Sequence, residues 1–347
     1  MSNHHLILLF LISCLAASCT QEDIPNCHAD EKVLHSLVSF PLGVAVDQTE
    51  LNFNEAYEQI VSQQFNSITP ENIFKPQYLQ PVQDQFSWEA ADQLVAYCMD
   101  HDMRLHGHTL IWHNQLPFWM EQFQGSPETW EQMMKTHIQT VVKHFKGKVT
   151  SWDVVNEAIE DDGSFRENIW LANIGESYIE KAFQYAHEAE SAVKLFYNDY
   201  SLSAKRKKRD AVIELLNSLR EKGIRVDGIG LQMHIAHNYP SNNAIAKALE
   251  EVWENDYLIH ISELDIAINP LGREMPTAST SRLIKQAEKY KAVFEAYQEV
   301  PADYQHGISI WGISDRDSWI PSFFGRDDYP LLFDAMYQPK PAFCNLP

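Results

Sequence analysis

The sequence predicts an α/β chain folded as a single (β/α)8 TIM barrel. Short β-rich runs alternate with longer amphipathic stretches, the pattern of βα units around a parallel sheet. Eight such units can be counted. No repeat, low-complexity tract or Gly/Ser linker interrupts the 347 residues after about residue 30, and barrels commonly use ~250 residues or more as one unit. A doubly wound sheet would give a similar alternation.

The predicted strands, in order, are Leu42–Val46, Phe65–Thr69, Arg104–Leu110, Val149–Val155, Val193–Tyr197, Gly228–Met233, Leu258–Glu263 and Gly307–Trp311. Helical patterns fall between them, among them Glu131–Phe145, Ser177–Glu190, Arg206–Glu221 and Ser281–Gln298. In a barrel, chemistry collects where strands end. Unusual polar residues stand at those places: Glu71-Asn72, His106 with His108, Asn156-Glu157, Asn198-Asp199, Gln232 with His234, Glu263 with Asp265, and Trp311.

Acidic residues outnumber basic ones 48 to 27, a formal charge of −21 that repels phosphate backbones and anionic lipid heads. Nucleic acid is therefore not an expected partner, whereas a neutral polysaccharide is compatible. Nine Trp and fourteen Tyr offer flat faces for sugar rings, although many aromatic residues serve the core.

The apolar run Leu6–Ala17 is too short to span a bilayer and suits the core of an export signal, although no Lys or Arg precedes it. Ala16-Ala17-Ser18-Cys19 resembles a bacterial lipobox, followed by the acidic Thr20-Gln21-Glu22-Asp23. The expected organisation is a signal peptide over 1–18, a lipidated Cys19, a short tether to residue 27, and the barrel over 28–347. The protein would sit on a bacterial surface or outer membrane, with secretion or the periplasm as the alternative. Cys98 lies in the helical spacing of Ala90–Met103 and reads as a buried hydrophobe. Cys27 and Cys344 lie near the two ends of the mature chain, where the ends of a closed barrel meet, and are a candidate disulfide.

Glycoside hydrolysis needs two carboxyl groups facing one anomeric carbon. Glu157, in Trp152-Asp153-Val154-Val155-Asn156-Glu157, and Glu263, in Ile259-His260-Ile261-Ser262-Glu263-Leu264-Asp265, are the strongest pair; far apart in sequence, they meet only if the barrel closes. The chain as a whole resembles the family 10 glycoside hydrolases, mainly endo-β-1,4-xylanases. The resemblance runs from about Phe40 to Phe343 and rests on motifs in order: Phe65-Asn66-Ser67-Ile68-Thr69-Pro70-Glu71-Asn72, Gly107-His108-Thr109-Leu110-Ile111-Trp112-His113, Asn156-Glu157, Tyr197-Asn198-Asp199-Tyr200, Gly230-Leu231-Gln232-Met233-His234, the Glu263 motif, and Trp311-Gly312-Ile313-Ser314-Asp315.

That resemblance implies a retaining enzyme with Glu157 as general acid/base and Glu263 as nucleophile, their carboxyl groups about 5–5.5 Å apart. One should hold a proton while the other is charged. It further implies that Asn156 bonds the sugar 2-hydroxyl, that His234 bonds the nucleophile, that Asp265 orients His234, and that Gln232 joins this network. Glu71, Asn72 and Lys75 match a polar clamp two sugars to the non-reducing side, with Ile73-Phe74 where the family usually has Glu-Met. His108, Trp112 and Gln115 match further positions there, Trp311 and Trp319 match aromatic walls of the cleft, and Tyr200 matches a contact on the leaving-group side, followed by Ser201 where the family often has Asn. The expected partners are xylan and xylo-oligosaccharides, acted on by a monomer that needs no cofactor and no metal.

Two features could mislead. His106, His108 and His113 suggest a metal cluster, but only the first two share a strand face. The basic run Lys205–Arg209 reads as a solvated helix start. The alternatives to a xylanase are an endoglucanase, decided by crowding around C5 of the sugar, and a protein that captures xylan without cutting it.

Overall fold

In the computed structural model, residues 27–29, 32–275 and 277–346 are described. The expected export signal, Cys19 and the tether as far as residue 26 lie outside the described residues. Strands β1 (Leu42–Val46), β2 (Ser67–Pro70), β3 (Arg104–Gly107), β4 (Ser151–Asn156), β5 (Lys194–Asp199) and β6 (Gly228–Leu231) pair in parallel, each with the next. Beyond the three-residue β7 (His234–Ala236), strand β8 (Leu258–Ala267) pairs with β9 (Gln305–Ile310), and β9 pairs back to β1. The ring closes where β6 meets β8, Gly228 opposite Leu258 and Leu231 opposite Ile261. Eight strands thus form the barrel, as the alternation of the sequence predicts, and the doubly wound alternative falls away.

The helices lie where periodicity puts them, because each buries one stripe against the barrel. Pro127–His144 sinks Trp130, Met134, Ile138, Val141 and Val142, each burial contributing roughly 1.5–3 kcal/mol. This helix begins before the predicted Glu131 because Pro127 occupies the first turn, where a missing N–H costs nothing. Arg206–Glu221 has the predicted ends, so the basic run does open a helix. The run is not wholly solvated as expected: Lys208 is buried against Asp199 at 2.6 Å, and Arg209 is buried beside Glu251, because both face the barrel side of the helix. Cys98 is buried and free within helix Glu89–Asp100.

Three strand predictions change in ways that bear on the site. The third strand stops at Gly107 rather than Leu110. A Cβ on Gly107 would sit 2.2 Å from Cε3 of Trp152, so only glycine lets that indole fill the space between β3 and β4. The sixth stops at Leu231, since Met233 takes φ +57° and breaks the ladder before β7 begins. The seventh runs on to Ala267, so Glu263 lies within β8 and not at its end, at a register shift between Ile261 and Leu264.

Cys27 and Cys344 form a disulfide with Cα atoms 5.7 Å apart, joining residues separated by 317 positions. Closing so long a loop restricts the unfolded chain. Replacing Cys344 with Ser is expected to lower the unfolding free energy by about 2–4 kcal/mol. Calorimetry of that variant, with peptide mapping of the wild type without reductant, checks the expectation.

Candidate active site

At the carboxyl ends of the barrel strands, β4 delivers Asn156 and Glu157, β5 delivers Asn198, and β8 delivers Glu263 and Asp265. Glu263 is 5% exposed, and a carboxylate that deep requires partners. Asn198 donates through Nδ2 to Glu263 Oε1 at 2.7 Å and to Asn156 Oδ1 at 2.9 Å. Gln232 donates through Nε2 to Asn156 Oδ1 at 3.2 Å and to Glu157 Oε1 at 3.0 Å, while Trp112 Nε1 donates to Glu157 Oε2 at 2.9 Å. Both carboxyl groups therefore hang on one amide network.

His234 lies between Glu263 Oε2 at 3.0 Å and Asp265 Oδ2 at 2.8 Å. The pairing of β7 with β8 sets His234 opposite Asp265. Burial alone would push the imidazole down, but Asp265 and Glu263 override burial and raise its pKa to about 10. Burial likewise opposes ionisation of Glu263, yet the bond from His234 and the proximity of His108 hold its pKa below the ordinary glutamate value. Glu263 is thus an anion at neutral pH. Trp319 Nε1 also donates to Asp265 Oδ2, at 2.8 Å.

The remaining predicted residues divide into three groups. Lys75 Nζ donates to Gln115 Oε1 at 2.6 Å and Asn72 Oδ1 at 3.2 Å, with Gln115 Nε2 donating to Asn72 Oδ1 at 3.0 Å. Glu71, its pKa raised by burial against the pull of Lys75, completes that cluster. Trp311 meets His108 edge to face with centroids 5.4 Å apart, and the Lys75 ammonium stands 5.0 Å from the Trp112 ring. Tyr200 stands apart, bonded to Arg166. Every predicted site residue from Glu71 to Trp319 thus falls on this end of the barrel or on the loops above it.

A family model for glycosyl hydrolase family 10 matches residues 33–346. The chain belongs to that family. It is 39% identical over 335 residues to endo-1,4-beta-xylanase A of Thermoanaerobacterium saccharolyticum, covering 93% of this chain but only 28% of that protein. It is 38% identical over 339 residues to endo-1,4-beta-xylanase B of Thermotoga neapolitana, covering 97% of this chain and 94% of the relative. The crystal structure of xylanase 10B from Thermotoga maritima superposes with a TM-score of 0.85 at 36% identity, over 91% of this chain and 97% of that one.

This family 10 barrel also uses residues to which sequence reasoning assigned no task. Asn198 stands in the sequence as a strand-end polar residue within the Tyr197-Asn198-Asp199-Tyr200 motif, with no role assigned, yet it bonds Glu263 directly. A Cβ on Gly230 would sit 2.2 Å from Asn198 Oδ1, so the glycine makes room for that amide. Asp153, inside β4, lies 3.0 Å from His106 Nε2 and is hydrogen-bonded to His108 Nδ1 at 2.9 Å; burial raises its pKa, but the two imidazoles outweigh burial and bring it to about 2. A mid-strand aspartate carries no sequence signal of this kind. The predicted His pair does share a face, but the third histidine is not His113. His106 instead groups with His260 and His306, their ring nitrogens within 4.8 Å of one another. Ser151 Oγ stands 2.7 Å from His106 Nδ1 and 2.9 Å from His306 Nε2, Ser309 Oγ is 3.0 Å from His260 Nε2, and the Arg104 guanidinium is 3.0 Å from His306 Nε2. A cation approaching His306 would meet that guanidinium, so the group reads as a buried polar network.

The raised pKa of His234 has a thermodynamic sign. The stability it contributes is complete below its ordinary pKa of 6.5 and is lost as pH rises through about 10. Nitrogen-15 NMR should find its ring doubly protonated at about pH 8, and the wild type should lose more stability than His234→Gln between neutral and alkaline pH. A ring that titrates at its ordinary value contradicts the assignment.

Proposed function

We propose that the chain is a retaining endo-β-1,4-xylanase. The observation that carries the reading is the pair of glutamates, one just past β4 and one within β8, joined through Asn156, Asn198 and Gln232, with His234 keeping Glu263 anionic. In the first half-reaction Glu263 attacks the anomeric carbon while Glu157 gives its proton to the leaving oxygen. In the second, Glu157 takes a proton from water, the water oxygen attacks the same carbon, and Glu263 departs as carboxylate. Two inversions give net retention.

The assignment of the other residues follows their surroundings. Asn156 bonds the sugar 2-hydroxyl from its place between the two carboxyls. Glu71, Asn72, Lys75 and Gln115 form the polar clamp two sugars to the non-reducing side, helped by His108 and Trp112. Trp311 and Trp319 wall the reacting sugar, where indole faces suit the C–H faces of a pyranose. Tyr200 meets the leaving group. Support for xylan as substrate comes from the relatives named xylanases. The same reading takes 1–18 as an export signal and Cys19 as a lipid anchor holding a monomeric barrel at a bacterial surface, supported by the apolar run and the lipobox-like residues.

The test is product analysis on xylan and on carboxymethyl cellulose. Wild-type protein should release short xylo-oligosaccharides from xylan and little from cellulose, and Glu263→Ala should lose at least about 1000-fold in rate. Xylan binding without cleavage would mean capture rather than catalysis.

A further inference from the structure

Glu157 is held in an unusual backbone conformation. Its φ is +58°, the left-handed region that residues with a Cβ rarely adopt. Such a conformation persists where its surroundings over-determine it. The amide of Glu157 donates to the Asn198 carbonyl at 2.9 Å, and the amide of Ala158 donates to the Tyr197 hydroxyl at 3.0 Å. The carbonyl of Glu157 accepts from Arg166 Nε at 2.9 Å.

Arg166 reaches that carbonyl because the intervening segment folds back on itself. Ile159 bridges Phe165, Glu160 and Ser164 are joined by a 2.8 Å backbone bond, and Gly163 turns the corner at φ +84°. The amide of Arg166 then donates to the Ala158 carbonyl at 2.8 Å. The far end of the guanidinium donates to the Tyr200 hydroxyl, and Nη1 pairs with Glu160 Oε1 at 3.0 Å. One planar cation therefore spans three fixed points: the main chain of one carboxyl-bearing residue, an acidic residue of the hairpin, and the phenol on the leaving-group side. A lysine could not hold all three, since its ammonium is a point charge without a rigid fork.

We propose that Arg166 is a positioning residue for the acid/base step, fixing the backbone of Glu157 and tying it to Tyr200 so that the carboxyl stays aimed at the departing oxygen. The proposal rests on the reading of Glu157 as acid/base. It assigns Arg166 no contact with the reacting atoms; it acts through Glu157.

Leaving-group dependence separates this role from a merely structural one. A xylosyl leaving group needs a proton, whereas 2,4-dinitrophenolate leaves without one. Arg166→Met should lower kcat/KM on xylotetraose roughly 10- to 100-fold and leave kcat/KM on 2,4-dinitrophenyl β-xylobioside within about threefold. Glu157→Ala should show the same contrast more strongly. Arg166→Lys should fall between Arg166→Met and the wild type, and it carries the test should Arg166→Met fail to fold. Equal losses on both substrates would reduce Arg166 to a structural role, and no loss on either would overturn the proposal. A wild type that cleaves neither substrate would overturn the xylanase reading itself, and this proposal with it.

Discussion

Parallel pairing of β6 with β8 closes the sheet, and every feature of the site depends on that closure. Without it Glu157 and Glu263 would lie on distant strands of an open sheet. With it, β4, β5, β8 and the segment that follows β6 bring polar side chains together, most of them buried. Each buried charge must then find its complement or remain neutral. His234 becomes an imidazolium because two carboxylates face it, and Asp153 remains an anion because two imidazoles face it. The anionic state of Glu263 follows from how the barrel packs its own polar residues.

Much of this could be read from the amino-acid order. The strand runs were recognisable because barrel strands are short and β-rich, and the helices because one stripe of each is apolar. Glu157 and Glu263 stood out as acidic residues beside strands, in motifs that a whole family shares. The errors cluster where backbone geometry departs from regularity. Met233 at positive φ ends one predicted strand early, and β8 runs past Glu263 through a register shift. Neither departure leaves a compositional trace: no residue type in the order marks the positive φ of Met233 or the register shift between Ile261 and Leu264.

The residues without an assigned role were hidden for a different reason. Asn198, Asp153 and Arg166 act through contacts across neighbouring strands or back along a hairpin, and periodicity carries no information about such contacts. Glycines hold part of the missing signal: Gly230 marks the space taken by Asn198, and Gly107 the space taken by Trp152. A glycine inside a strand can therefore point to the bulky or polar neighbour that needs its room.

The central claim is that Glu263 forms a covalent bond to the sugar. A 2-deoxy-2-fluoro xylobiosyl fluoride slows the second half-reaction more than the first, so the intermediate should accumulate. Mass spectrometry of the treated protein should find one fluoroxylobiosyl group per chain, on the peptide that contains Glu263 and absent from the Glu263→Gln variant. A label on another residue, or none while xylan hydrolysis continues with inverted products, would contradict the account.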